Sequence, residues 1–217
     1  MKNAKRNNAQ ALKDLFTFPL RAVSLFYDDK WGLSSLLSER FYYVQKEVIG
    51  YCLDVGCGPY NRFINDYLKG NGIGVDVFPH EGLSDQNIIN DVSRFPFDDG
   101  TFDSITFIAN INHIPKSQRD IELAEAYRCL RSGGNVIVTM GNPIAEILMH
   151  KLVWAYDRFF GTNFDRDSKR GMSEEEEYYL EDSEIITRLA RAGFRDLRKR
   201  RFVTQWGLNH LLIGWKR

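Results

Sequence analysis

Cysteine is scarce in this chain. Cys52, Cys57 and Cys129 are the three among 217 residues, and no two are spaced as CxxC. So few, with no CxxC pair and away from any His-rich tract, they argue against a disulfide framework or a zinc site and fit a reducing compartment. Long apolar runs are missing too, since no stretch approaches the roughly 18 uninterrupted apolar residues that span a bilayer. The opening "MKNAKRNNAQ" is polar and lacks the apolar core of a secretory signal, so the expected location is cytoplasmic. An excess of one charge is also absent. Lys plus Arg and Asp plus Glu number 29 each, whereas a dedicated nucleic-acid binder carries a basic surplus. That balance argues against a nucleic-acid partner. The local cluster "RKRRF" at 198–202 reads as the outer face of a late strand.

What is present is the texture of an α/β domain. Residues from about 9 to 49 read as helical, with a break at "TFPLR" around Pro19 and a stop at Gly50. Short apolar runs then alternate with amphipathic segments. "YCLDV", "GIGVDV", "NIINDV", "FDSITFIAN" and "NVIVTM" are strand candidates, with "YNRFINDYLKG" and "RDIELAEAYRCLRSGG" as helices between them. That rhythm predicts a parallel sheet with helices on both faces, its strands buried on both sides. After an interruption, a helix "DSEIITRLARAGF" and two strands, "FRDLRKRRFV" and "LNHLLIGWK", complete the pattern. The expected organisation is a single domain over 1–217: a helical cap (1–49), a core (50–140), an insertion (141–181), and a last helix with two strands (182–217).

The chemistry-bearing residues fall at strand ends. In "CLDVGCGPYN" the glycine turn Gly56–Gly58 follows an apolar run, which suits a ligand pressed close to backbone. A dinucleotide fold wants G-x-G-x-x-G, but Asn61 occupies the last position and breaks that fingerprint. Three acids stand out instead. Asp54 precedes the glycines, Asp76 closes "GIGVD", and Asp91 closes "NIIND". A carboxylate at the second strand tip can accept two hydrogen bonds from the vicinal hydroxyls of a ribose. One at the third could accept from an exocyclic amine. Three acids at successive strand tips would line the crevice at the carboxyl edge, where open α/β folds bind ligands. A lone Asp at a strand end is more often a cap or turn former, and it is the register of three that shifts the reading. Cys57 reads as a small turn residue and the run Glu174–Glu177 as a solvated helix start.

In this order and spacing, "LDVGCGP", "GIGVDV", "NDVSRFPFDDGTFDSI" and "LRSGGNVIVT" resemble the class I S-adenosylmethionine-dependent methyltransferases. The similarity is to the small-molecule branch related to the ubiquinone and menaquinone biosynthesis enzymes. The resemblance implies a Rossmann-like, seven-stranded methyltransferase sheet, mostly parallel, with the last strand antiparallel. It implies S-adenosylmethionine as cofactor and S-adenosylhomocysteine as product. Gly56 and Gly58 would pass under the methionine part, with Asp54 near its ammonium. Asp76 would take the ribose hydroxyls, with Val77 packed on adenine. Asp91 and Val92 would meet the adenine amine and ring edge, and Asn110 would border the sulfonium through its backbone. Two departures from the pattern are Tyr60, where many relatives have glycine, and "FPHEGLSDQ", too short and broken for the usual helix.

Transfer from a sulfonium demands chiefly alignment, so no catalytic residue need be visible. His113 in "ANINHIP" is a weak candidate for a general base, the alternative being a capping or packing histidine. The insertion "IAEILMHKLVWAYDRFFG" carries a broad apolar helical face. With "FTFPLRAVSLFY" it could form a lid, pointing to a small apolar or aromatic organic acceptor as partner, while a membrane-surface helix is an alternative. The competing functions are a non-catalytic S-adenosylmethionine-binding partner or sensor, and a protein or RNA methyltransferase.

Overall fold

The computed structural model describes residues 7–24, 28–141, 154, 158, 159, 161 and 180–217. The helical face expected at "IAEILMHKLVWAYDRFFG" and the run Glu174–Glu177 lie outside them, apart from those four single positions. Among the described residues six strands form one sheet: β1 (Cys52–Val55), β2 (Gly72–Val75), β3 (Phe102–Ile108), β4 (Leu130–Gly141), β5 (Arg195–Arg201) and β6 (Asn209–Trp215), in the order β2-β1-β3-β4-β6-β5. The pairs among β1 to β4 are parallel, and β6 runs antiparallel to both β4 and β5. The expected antiparallel last strand is therefore present, but the sheet has six strands and not seven. The segment "NIINDV" contributes only one parallel bridge, Asp76 to Ile88. Asp76 N–H donates to Asn87 O at 2.8 Å and Ile89 N–H to Asp76 O at 2.9 Å. Pairing goes no further because the chain beyond Ile89 turns on the Asp91 side chain, which accepts from Ser93 N–H at 2.9 Å.

Alternation along the strands loads both faces of the sheet. Leu53, Val55, Ile105, Phe107, Val136 and Val138 point to one side, against α4 (Lys116–Cys129) and α5 (Asp182–Ala192). Cys52, Ile108, Ile137, Leu211 and Ile213 point to the other, where α3 (Leu36–Gln45) brings Phe41 and Val44. The helix expected at "YNRFINDYLKG" is replaced by a 3₁₀ turn, Pro59–Asn61, and one π-helical turn, Phe63–Tyr67. Tyr60 and Asn61 both have left-handed φ, 63° and 46°, so no α-helix can pass through them. The glycines expected to close α4 do not end it either. The helix stops at Cys129, and Gly133 and Gly134 fall within β4, beside its register shift against β3.

The N-terminal segment, α1 (Asn8–Phe16) and α2 (Phe18–Ser24), docks far along the chain. The break between the two helices comes at Thr17, and Pro19 sits in the first turn of α2, where its missing N–H costs nothing. From α2 the buried Arg21 guanidinium donates to Glu39 Oε2 at 2.9 Å, Ser34 O at 3.0 Å, Asp14 O at 2.7 Å and Thr204 O at 3.0 Å. Glu39 also accepts from Gln205 Nε2 at 2.8 Å and from the Thr204 hydroxyl. One ion pair thus joins α1, α2, α3 and the turn between β5 and β6. Removing one partner of such a pair leaves a buried charge without compensation. Arg21→Met should lower stability by about 3–5 kcal/mol in urea unfolding, and Glu39→Leu added to it should recover much of the loss. Unchanged unfolding in Arg21→Met would mean that this pair does not hold the cap.

Candidate functional site

At the carboxyl edge of the parallel strands lies a cavity of about 830 Å³, within the size range of small-molecule sites. Its floor is the glycine turn, with Val55, Gly56, Gly58 and Pro59. One wall is the end of β2 and the loop after it, Val75 to Phe78 and His80. Ile89, Val92 and Phe95 add an apolar stretch to the lining. The loop after β3 supplies Ala109, Asn110, His113 and Ile114, and α4 supplies Gln118 and Glu122.

Close approach of backbone shapes the floor. Gly56 has φ 76°, and a Cβ there would stand 2.2 Å from Asn110 Cγ. Only glycine lets the Asn110 amide lie over the turn, where its Nδ2 donates to Val55 O at 3.2 Å. The turn's own donors are directed inward. Gly56 and Cys57 N–H donate to Val75 O at 2.8 and 3.0 Å, and Gly58 N–H donates to Asp76 Oδ2 at 3.0 Å. Asp76 Oδ1 accepts from Phe78 N–H at 3.0 Å, and His80 Nε2 stands 3.6 Å from Oδ2. The Asp76 carboxylate therefore ties the glycine turn to the loop after β2 while keeping a face on the cavity.

Tyr60 lies outside this lining. Its N–H donates to Glu81 O at 2.7 Å, and its ring closes on Gly82, where a Cβ would come within 2.5 Å of Cδ1. A hydrogen bond to the Glu81 carboxylate raises its phenol pKa. The two departures from the family pattern thus pack on each other: the tyrosine braces the short loop that stands where a helix was expected.

Of the eight residues singled out in the sequence for cofactor contact, Gly56, Gly58, Asp76, Val77, Val92 and Asn110 line the cavity. Asp54 and Asp91 do not. Asp54 is buried on the far side of β1, where its carboxylate accepts from Thr106 Oγ1 at 2.6 Å. Burial, with a smaller push from Asp76, raises its pKa to about 7, against the pull of the Thr106 bond. Asp91 is exposed, and its carboxylate accepts from Ser93 N–H and from Ser93 Oγ at 2.6 Å, bonds that lower its pKa. Three acids near one edge are thus sorted into three environments. His113 reaches the cavity, with Asn112 Nδ2 3.3 Å from its Nε2. Cys57 is buried, and burial followed by Asp54 and Asp76 pushes its thiol far up, which suits a packed turn residue.

Glu122 was not legible in the sequence. It sits mid-helix in α4, only 5% exposed, yet it faces the cavity, and burial followed by Asp76 raises its pKa to about 8. Its one sequence signal was a charged residue next to Leu123, which is buried, although Ile121 on its other side is exposed.

These raised carboxyls make stability depend on pH. The folded chain holds protons on Asp54 and Glu122 that the unfolded chain has lost. Their contribution is full below about pH 4 and falls away as pH rises through 7 to 8. Asp54→Asn keeps the Thr106 partner and should flatten part of that decline between about pH 4 and 7 in urea titrations of the ligand-free protein. A slope identical to wild type would contradict the assignment.

Comparison with known proteins agrees with this geometry. Residues 53–138 match the family model described as a methyltransferase domain. The chain is 28% identical over 156 residues to the ubiquinone/menaquinone biosynthesis C-methyltransferase of Allorhizobium ampelinum, covering 67% of this chain and 58% of that protein. It is 30% identical over 142 residues to the same-named protein of Dinoroseobacter shibae, covering 59% and 52%. The chain thus spans between half and two thirds of the length of these relatives. Among solved structures, a SAM-dependent methyltransferase from Archaeoglobus fulgidus superposes with a TM-score of 0.55 at 13% identity, covering 82% of this chain and 90% of that one. A Haemonchus contortus phosphoethanolamine N-methyltransferase, bound to phosphomonomethylethanolamine and S-adenosylhomocysteine, gives 0.52 at 16% identity, covering 82% and 52%. At these identities the likeness shows the fold alone.

Proposed function

The chain belongs to the class I S-adenosylmethionine-dependent methyltransferases, and from that premise we propose that it transfers a methyl group to a small organic acceptor. The observation that carries the reading is the state of the glycine turn. Its three amides are spent on Val75 O and Asp76, and no α-helix starts behind it. Such a turn offers a phosphate neither free donors nor a helix dipole, while its flat floor suits an uncharged or zwitterionic ligand held against backbone. The cavity joins that floor to a carboxylate and an apolar slot, which fits an amino-acid tail, a ribose and a base.

S-adenosylmethionine supplies a methyl group already activated on sulfur. The chain's own residues have to hold, orient and keep water away. Gly56 and Gly58 would pass under the methionine part, with Asn110 bordering it. Asp76 would accept from the ribose hydroxyls, and Val77 and Val92 would enclose the base between them. Orientation of this kind is worth up to roughly 7–11 kcal/mol of barrier. His113, which lines the cavity in the loop after β3, would be the candidate to take a proton from a hydroxyl or amine acceptor. An apolar or aromatic acceptor is supported by the relatives' names and by the apolar composition of "IAEILMHKLVWAYDRFFG". The described part of the N-terminal segment packs elsewhere, with the Phe18 ring 5.5 Å from that of Trp206, and lines none of this cavity. The reading as a silent binding protein finds no support in Tyr60, which stands outside the lining.

Calorimetry with S-adenosylhomocysteine should show binding to the wild-type chain, and Asp76→Ala should weaken it by about 1–3 kcal/mol. Absence of heat at millimolar ligand would overturn the reading. Methyl incorporation from labelled S-adenosylmethionine into a small-molecule extract, compared with protein and RNA fractions, identifies the acceptor class.

A further inference from the structure

We propose that Glu122 reads the adenine base, offering a carboxyl O–H and C=O side by side to one edge of the ring. The inference rests on the cavity being the S-adenosylmethionine site. Glu122 is 5% exposed, lines the cavity, and makes no hydrogen bond among the described residues. Of its polar neighbours on α4, Gln118 lines the cavity with it, while Glu125 and Arg119 are engaged elsewhere. Glu125 accepts from Arg128 Nη2 at 2.6 Å and Phe95 N–H at 2.8 Å, and Arg119 donates to Ile114 O at 2.9 Å and Asn112 O at 3.3 Å. A buried polar group without a partner carries a desolvation cost, and here it faces a void that a ligand can enter. Asp91, the acid that the sequence suggested for this role, is exposed and held by Ser93, outside the lining.

The surroundings select a flat base. Ile89, Val92, Phe95 and Ile114 line the same cavity as Glu122 and give it an apolar surface for a ring to lie on. An ionised carboxylate only accepts hydrogen bonds, whereas a neutral carboxyl both donates and accepts. Adenine presents its amine N–H next to a ring-nitrogen acceptor on two edges, the complement of a neutral carboxyl. Burial and the Asp76 charge keep Glu122 neutral at pH 7 in the absence of ligand. The other titratable groups facing the cavity are Asp76 on β2, His80 in the loop after it and His113 in the loop after β3. Asp54 lies behind the turn, and Arg94 pairs with Glu125 at 3.8 Å.

The test compares S-adenosylhomocysteine with its analogue lacking the 6-amino group, by calorimetry on wild type, Glu122→Gln and Glu122→Leu. Wild type should bind the deamino analogue about tenfold more weakly, and its affinity for S-adenosylhomocysteine should fall as pH rises from 7 to 9. Glu122→Gln keeps a donor beside an acceptor, so it should retain the affinity and discrimination while losing that pH dependence. Glu122→Leu should lose about tenfold in affinity for S-adenosylhomocysteine and discriminate less than about threefold between the two ligands. Equal discrimination in all three proteins, or wild-type affinity that rises with pH, overturns the proposal. Failure of the wild-type chain to bind S-adenosylhomocysteine at all overturns the cofactor reading beneath it. A thermal melt of each variant, run alongside, separates loss of fold from loss of recognition.

Discussion

The structure depends on how closely two strand ends approach at Gly56. Gly56 and Cys57 donate to Val75 O, Gly58 donates to the Asp76 carboxylate, and the Asn110 side chain lies over the missing Cβ. Those contacts bring the tips of β1, β2 and β3 to one point. Everything that lines the cavity hangs from one of these three strands or from α4 behind them. A side chain at Gly56 would push Asn110 away and open the floor, and left-handed φ at that position adds strain of its own.

The same approach explains what the turn does not bind. Amides that point into β2 cannot also grip an anion, and the left-handed pair Tyr60–Asn61 prevents an α-helix from placing its positive end there. What remains is a surface to lie on, flanked by one carboxylate. Tyr60, which breaks the family pattern in the sequence, makes this arrangement cohere. It braces the loop 77–83 through Glu81 and Gly82, and that loop in turn carries Phe78 N–H to Asp76.

Much of this was legible in residue order. Short apolar runs located β1, β2, β3 and β4, because strands buried on both faces must be apolar throughout. The helix "DSEIITRLARAGF" was equally plain, ending at Gly193 with φ 111°. The misreadings have two causes, a side-chain turn in one segment and a tertiary contact in the other. "NIINDV" has strand composition, but the Asp91–Ser93 turn cuts its pairing to one bridge. "YNRFINDYLKG" has helical spacing, but Tyr60 is drawn toward Glu81. Strand-tip acids looked equivalent in the sequence because burial is not written there. Asp76 faces the cavity, Asp54 turns behind β1 toward Thr106, and Asp91 turns out to Ser93. Glu122 was hidden for the same reason, since a glutamate in a charged helix reads as solvated until its neighbours bury it.

Two buried carboxyls, Asp54 and Glu122, are raised first by burial and then, to a lesser degree, by the Asp76 charge. A fold selected for stability alone would replace them, since apolar residues of similar volume pack without a desolvation cost. The two differ in how that cost is met. Asp54 has Thr106 at 2.6 Å, so its cost is largely offset inside the fold, and its part is to fix β1 against β3. Glu122 has no such partner and faces the cavity, so its cost is offset only when something occupies it. A group that destabilises the empty protein and is satisfied by a ligand converts binding energy into selectivity, because a ligand lacking the matching edge leaves the penalty in place. That asymmetry between two similar acids, one braced and one waiting, separates the architecture of the site from its recognition.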